Sequence, residues 1–261
     1  MEQSELSILL HGQKHSINYW HAGSGTTIIL LQGGMANAEL HWNLVWEHLS
    51  GNHQVVAPDL PGFGNSTPLK NMNWQALSEW LKAFLDTLGV KNAVLIGNSF
   101  GGTFARAFSG YYPAYVSHLV LVDGGGYIRL GLLQRMFLAS SIGKFFIDKQ
   151  KKTGISKKSL GKMMPNIHLL DKQQQDRWLT GSGTIYEIGR DCILGPTPLD
   201  VNNLPTLIVW GKKDMHSPLK RAYSLKAELS SARLIVLDKS GHLPQLDQPD
   251  DLVKIINDFI K

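Results

Sequence analysis

A run of apolar residues, Ala93-Val94-Leu95-Ile96, leads into Gly97-Asn98-Ser99-Phe100-Gly101-Gly102, and no other stretch constrains the chain as much. The run suits a buried strand and Thr103 to Ser109 reads as the start of a helix, which places Ser99 in a GxSxG turn between them. Gly97 and Gly101 lack a Cβ, so strand and helix can pack closely on either side of the turn. The serine hydroxyl is then thrust out above the sheet. At the helix N-terminus the N–H of Phe100 has no intrahelical acceptor and is available to a developing oxyanion. GxSxG also recurs by chance, so its surroundings decide whether this serine is a nucleophile.

Along the chain, strand-like and helix-like segments alternate. Leu6 to Leu10 and Ser16 to Trp20 pair around a turn near Gly12, Thr26 to Gln32 is a continuous apolar run, and His53 to Asp59 is a strand following a helix expected over Glu39 to Leu49. Apolar residues recur at helical spacing from Asn73 to Leu88, with Gly89 as the stop, and the aromatics of that helix read as core. His118 to Asp123 is another buried strand. From Tyr127 to Asn203 no strand of comparable quality occurs, whereas Leu132 to Phe146 and Asp171 to Leu179 read as helices. Regularity resumes with strands at Pro205 to Gly211 and Ala232 to Leu237, a helix between them over Leu219 to Leu229, and a closing helix from Pro249 to Ile260. This order predicts an α/β fold with a mainly parallel sheet, a core of residues 1–126 and 204–261, and a helical cap subdomain over 127–203.

Ligands of such sheets bind beyond the carboxyl ends of the strands. Asp214 follows the strand ending at Gly211, and His242 follows the strand ending at Leu237, on the same edge as Ser99. A histidine there can take the serine proton, and a carboxylate can hold the imidazole in the right tautomer and stabilise its cation. Nothing comparable surrounds the other histidines.

Composition narrows the classes. The 261 residues are 43% hydrophobic and 18% charged, as in a globular chain with one substantial core and room for an insertion. The single cysteine, Cys192, excludes an intrachain disulfide and a cysteine-based zinc pattern. No apolar stretch reaches spanning length, and Met1 to His15 shows no basic region followed by an apolar run, so a cytoplasmic location is expected.

Four motifs in this order resemble the α/β-hydrolase superfamily from end to end, in its serine carboxylesterase form with a helical cap. They are Gly97 to Gly101, Pro58-Asp59-Leu60-Pro61-Gly62-Phe63-Gly64-Asn65-Ser66, Gly211 to Asp214 with Pro218, and Gly241-His242 with Pro249. The resemblance implies an eight-stranded mainly parallel sheet flanked by helices, with Ser99 as nucleophile, His242 as general base and acid, and Asp214 as orienting carboxylate. It also implies an oxyanion hole made by the N–H groups of Gly34 and Phe100, although Gln32 stands where the family usually has histidine. Asp123 is a rival for the acid, since some relatives place it after the earlier strand; family spacing favours Asp214. Gly62 and Gly64 read as turn-forming residues near the site, and Asp59 as structural rather than catalytic.

The predicted function is hydrolysis of a carboxylic ester through an acyl-enzyme, which requires no metal or organic cofactor. Met35, Phe137, Met164 and Trp178 are the candidate substrate-pocket residues. Between Tyr127 and Asn203 the chain has twelve Lys and Arg against six Asp and Glu, so the whole positive excess sits in the cap. That charge is a solvated face, or it docks an acidic carrier protein or steers an anionic substrate, and no nucleic-acid motif accompanies it. The loop Ala36-Asn37-Ala38-Glu39 and the basic cap are similar to the pimeloyl-carrier-protein methyl ester esterases of biotin synthesis. Acyl transfer, C–C bond hydrolysis by the same triad, and a non-catalytic receptor are the alternatives. Lipase action on aggregated lipid needs a broad exposed apolar face, which the sequence does not demonstrate.

Overall fold

Residues that alternate or run apolar in the sequence become the eight strands of one sheet in the computed structural model, which describes residues 1–164, 167–168, 171–197 and 203–261. β1 (Glu2–Leu10) and β2 (Gln13–Ala22) form an antiparallel hairpin, and β2 pairs antiparallel with β4 (Gln54–Pro58). From there β3 (Thr27–Leu31), β5 (Ala93–Asn98), β6 (Val116–Val122), β7 (Thr206–Gly211) and β8 (Arg233–Leu237) are parallel, in the order β1-β2-β4-β3-β5-β6-β7-β8. The central strands are buried along their whole length, as expected of a parallel sheet covered on both faces.

Two apolar layers cover it. On one face α3 (Trp74–Thr87) and α4 (Phe100–Tyr111) pack Leu77, Trp80, Phe84, Phe104 and Phe108 against β3, β5 and β6. On the other, α1 (Ala38–Trp42), α2 (Trp46–Ser50) and α12 (Pro249–Phe259) bring Trp42, Trp46, Leu252 and Ile256 against the same strands. Asn73 caps α3 by accepting the N–H of Ala76 at 2.9 Å.

Between β6 and β7 the described residues contain five helices, α5 (Leu132–Ala139), α6 (Ser141–Thr153), α7 (Lys157–Met163), α8 (Lys172–Leu179) and α9 (Thr184–Leu194), and no strand. After β7 come α10 (Lys220–Glu228) and the single turn α11 (Pro244–Asp247). The inserted helices join the main core through α9, whose Ile188 and Cys192 are buried there; the Cys192 thiol donates to the Met72 carbonyl at 3.2 Å. Burial pushes that thiol's pKa well up.

Two helices differ from the sequence reading. The helix expected over Glu39 to Leu49 is two short ones, α1 and α2, because the Val45 N–H bonds to the Trp42 carbonyl three residues back and tightens the chain into a turn. The helix expected over Leu132 to Phe146 divides at Ser140, which takes an extended conformation and caps α6 by accepting the N–H of Gly143. The helices α7 and α9 were not anticipated. Asn203, the expected end of the cap, lies beside 198–202, which are outside the described residues.

Backbone packs closely at the turn between β5 and α4. A Cβ on Gly97 would stand 2.2 Å from the Gly101 carbonyl oxygen, and one on Gly101 would stand 2.2 Å from that of Leu31. Backbone, which cannot rotate aside, fills the space a side chain would need. Gly97→Ala is therefore expected to lower stability by about 3 kcal/mol, as severe overpacking does, read as a reduced midpoint in urea denaturation.

Candidate active site

Ser99 occupies the turn with φ 53° and ψ −115°, in the left-handed half of backbone space that a non-glycine residue enters only when its surroundings force it there. This conformation lifts the side chain off the end of β5. His242, in the loop after β8, places Nε2 2.9 Å from Ser99 Oγ, and its Nδ1 lies 2.7 Å from Asp214 Oδ2, in the loop after β7. With Nδ1–H donating to the carboxylate, Nε2 is left to accept the serine proton.

Several contacts hold the three strand ends together. Asp214 Oδ1 accepts the N–H groups of His216 and Ser217, Asp247 accepts the Gly241 N–H, and Asn98 Nδ2 donates to the carbonyls of Val122 and His242. The amide of Asn98 thus ties the strand carrying Ser99 to the loop carrying His242. His216 packs edge-on against the His242 ring, with centroids 4.7 Å apart.

Asp123 lies beside this pair without replacing Asp214. Its carboxyl group accepts the Gly211 N–H at 3.0 Å, and no direct bond joins it to the histidine among the described residues. Burial, then the neighbouring Asp214 charge, push its pKa well above the ordinary carboxylate value. Burial also works to raise Asp214, but the hydrogen bond and charge of His242 and the Ser217 N–H outweigh it and leave that carboxyl below its usual range. Donor atoms of Asp123, Asp214 and His242 lie within 4.8 Å of one another, the one cluster of metal-ligand type found among the described residues. Asp214 and His242 are turned toward each other at 2.7 Å, the arrangement in which a carboxylate orients an imidazole and stabilises its cation.

The loop after β3 passes directly over the serine. A Cβ on Gly33 would lie 3.6 Å from Ser99 Cβ, and one on Gly34 would run into Ile185 of α9 at 2.5 Å, so α9 closes on the proposed oxyanion loop. Gln32 Nε2 donates to the carbonyls of Met35 and Ala36, curling the loop from within. Phe100, the first residue of α4, stacks on Trp74 at 5.8 Å, and Trp74 meets Tyr127 edge-on at the same distance. These rings form an aromatic wall that begins at the residue after Ser99. Asp59 accepts the N–H groups of Ala38 and Asn65 and the Asn18 amide, a structural knot under the same loop.

Of the candidate pocket residues, Met35, Met164 and Trp178 share a small apolar cluster with Ala36, Leu160, Met163 and Leu243. Phe137 lies outside it, half-exposed on α5 and 6.3 Å from the Phe146 ring. The sequence reading passed over His41. This histidine is buried, packs on Trp178 at 4.9 Å, and places Nδ1 3.1 Å from the Asn37 carbonyl. Burial lowers its pKa to about 4; the Asn37 bond opposes the shift and the His242 charge adds to it. Its signal in the sequence was the helical register with Ala38 and Trp42, which marks a residue facing inward.

A model of the alpha/beta hydrolase family matches residues 8–255, and the chain belongs to that family. It is similar to the uncharacterized hydrolase YugF of Bacillus subtilis, 28% identical over 249 residues that cover 90% of each chain. It is also similar to the 2-hydroxy-6-oxo-6-phenylhexa-2,4-dienoate hydrolase of Burkholderia cepacia, 27% identical over 256 residues, 92% of this chain and 89% of that one. Among solved structures, the meta-cleavage product hydrolase of Pseudomonas fluorescens IP01 matches with a TM-score of 0.75 and 25% identity over 98% of this chain and 97% of its own. A thermophilic esterase from Thermogutta terrifontis shares the fold, with a TM-score of 0.73 and 20% identity over 100% and 98% of the two chains.

Two outcomes follow from the titrating groups. Because Asp123 bonds the Gly211 N–H and not the histidine among the described residues, Asp123→Asn is expected to keep turnover within about tenfold of the parent, whereas Asp214→Asn, which would disturb the histidine tautomer, should cost about 10⁴-fold; steady-state kinetics of the two variants check this. His41 binds its proton near pH 6.5 when unfolded and only near 4 when folded. Its contribution is therefore complete above pH 6.5 and is lost as pH falls between those values, by about 3 kcal/mol. Thermal melts over that range should show Tm falling with acidity, and a shallower fall in His41→Phe.

Proposed function

We propose that this protein is a serine hydrolase that cleaves carboxylic esters through an acyl-enzyme, with Ser99, His242 and Asp214 as its triad. The observation supporting the reading is the continuous chain from Ser99 Oγ through His242 to Asp214, at 2.9 and 2.7 Å. Ser99 attacks the ester carbonyl as His242 Nε2 takes the hydroxyl proton, and Asp214 stabilises the imidazolium. The N–H groups of Phe100 and Gly34 receive the oxyanion. His242 returns the proton to the departing alkoxide, then deprotonates the water that releases the acid and regenerates Ser99. The Phe100, Trp74 and Tyr127 wall offers the acyl group an apolar surface. The inserted helices, with Met35, Met164 and Trp178, roof the oxyanion loop.

A second reading is favoured by the names of the relatives. The Burkholderia cepacia protein is named a 2-hydroxy-6-oxo-6-phenylhexa-2,4-dienoate hydrolase and the Pseudomonas fluorescens protein a meta-cleavage product hydrolase, and the same triad can cleave a C–C bond next to a carbonyl. Such a substrate leaves as a carbanion equivalent and needs a proton delivered to carbon. An ester needs one only on its alkoxide oxygen, and among the described residues His242 is the one titratable group bonded to Ser99. That economy favours the ester.

The test is turnover of p-nitrophenyl esters from acetate to decanoate beside a 2-hydroxy-6-oxo-dienoate, with products identified by mass. Ester hydrolysis reduced about a thousandfold or more in Ser99→Ala, with stoichiometric labelling by a fluorophosphonate, is the expected result. Cleavage of the dienoate alone would transfer the assignment to C–C hydrolysis. Ester turnover that survives Ser99→Ala would overturn both.

A further inference from the structure

We propose that α5 and α6 form a docking face for the surface of an anionic phospholipid bilayer. The inference is independent of which bond Ser99 attacks. No residue of α5 is buried, and in α6 only Gly143 is. A helix of eight residues does not persist alone in water, and such helices owe their stability to an apolar face packed on something. Here two arginine side chains supply the anchorage: Arg135 Nη2 donates to the Leu194 carbonyl and Arg190 Nε to that of Leu138. The apolar side chains are left facing solvent.

They are concentrated in this one place. Among the described residues twelve large hydrophobic side chains are exposed, and eight of them fall between Ile128 and Phe146. Leu132 and Leu133 are 75% and 80% exposed, and Phe145 and Phe146 are 66% and 52% exposed. Phe146 contacts Phe137 at 6.3 Å and Phe145 at 5.9 Å, so an aromatic cluster bridges the two helices. A patch of this kind marks a surface that meets another phase or partner.

Charge selects the partner. At helical spacing Ile142, Phe145 and Phe146 continue into Lys149 and Lys152 on the same stripe of α6. Neither lysine has a carboxylate partner among the described residues, whereas Lys144 and Lys151 are paired with Asp148 and Glu187. Apolar and aromatic residues at one end and free ammonium groups at the other are the pattern of a segment lying in the plane of a membrane, with hydrocarbon below and phosphates beside it. A second copy of the chain would set this basic surface against another of the same sign. An acidic soluble protein would answer the lysines and leave the leucines and phenylalanines uncovered. No described helix is long and apolar enough to cross a membrane, and docking in the plane requires none.

Flotation of the full chain with vesicles of phosphatidylcholine alone, and of equal parts phosphatidylcholine and phosphatidylglycerol, reads the interaction without any activity assay. The parent should float with the anionic vesicles and be displaced by high salt. Phe145→Ser/Phe146→Ser should weaken binding by about tenfold or more, and Lys149→Glu/Lys152→Glu by a similar factor of about ten on anionic vesicles only. Circular dichroism and thermal midpoints matching the parent establish that both variants are folded. A parent that floats with neither vesicle, equal binding by parent and variants, or binding indifferent to lipid charge would overturn the proposal. So would a parent that sediments as a dimer split by Phe145→Ser/Phe146→Ser, or one that binds an acidic acyl carrier protein and no vesicle.

Discussion

Backbone touches backbone where the chain turns from β5 into α4, and the rest of the site is arranged around that contact. Gly97 and Gly101 leave no room for a Cβ, so strand end, helix start and the Leu31–Gln32 peptide occupy one small volume. Such closeness pins Ser99 at φ 53°. The cost of that conformation is met by the packed sheet on either side, where β5 is buried throughout. Because the helix begins at the residue after the serine, the same turn that exposes the hydroxyl presents an unused N–H beside it.

From this point the sheet works as a ruler. Parallel strands end on a common edge, so loops after β5, β7 and β8 meet although more than a hundred residues separate Ser99 from His242. Polar bonds complete what topology begins: Asn98 crosses to the His242 carbonyl, and Asp214 takes two backbone N–H groups besides the histidine. Asp123, its acidity weakened beside an Asp214 whose acidity is strengthened, shows how burial and a shared neighbour push two adjacent carboxyl groups in opposite directions.

Much of this was legible because it depends on local patterns. Continuous apolar runs marked the central strands, the Gly spacing marked the turn, and positions just after strand ends pointed to Asp214 and His242. What escaped depends on neighbours distant in the chain. His41 looked like any histidine until the fold buried it under Trp178, and Ile185 gave no sign that it would close on Gly34. Trp74 read correctly as a core residue, yet its ring also stacks on Phe100, the residue after Ser99. Periodicity also misled at Ser140, where a capping hydroxyl won over a continuous apolar pattern. Most of all, periodicity says which residues share a face and not whether anything covers it. The exposure of α5 and α6 could come only from three dimensions, and it supplies the apolar face that the sequence alone left undemonstrated.

Cys192 has a consequence of a different kind. It is the chain's one cysteine, and it sits on α9 at the seam where the inserted helices meet the main core, its thiol turned inward to the Met72 carbonyl. With its pKa pushed up by burial it has almost no thiolate to offer a reagent while the seam is shut. Reaction must wait for the seam to part. The rate at which an alkylating agent consumes this thiol is therefore a clock for the parting of α9 from the main core, built into the native chain and needing no label or engineered residue.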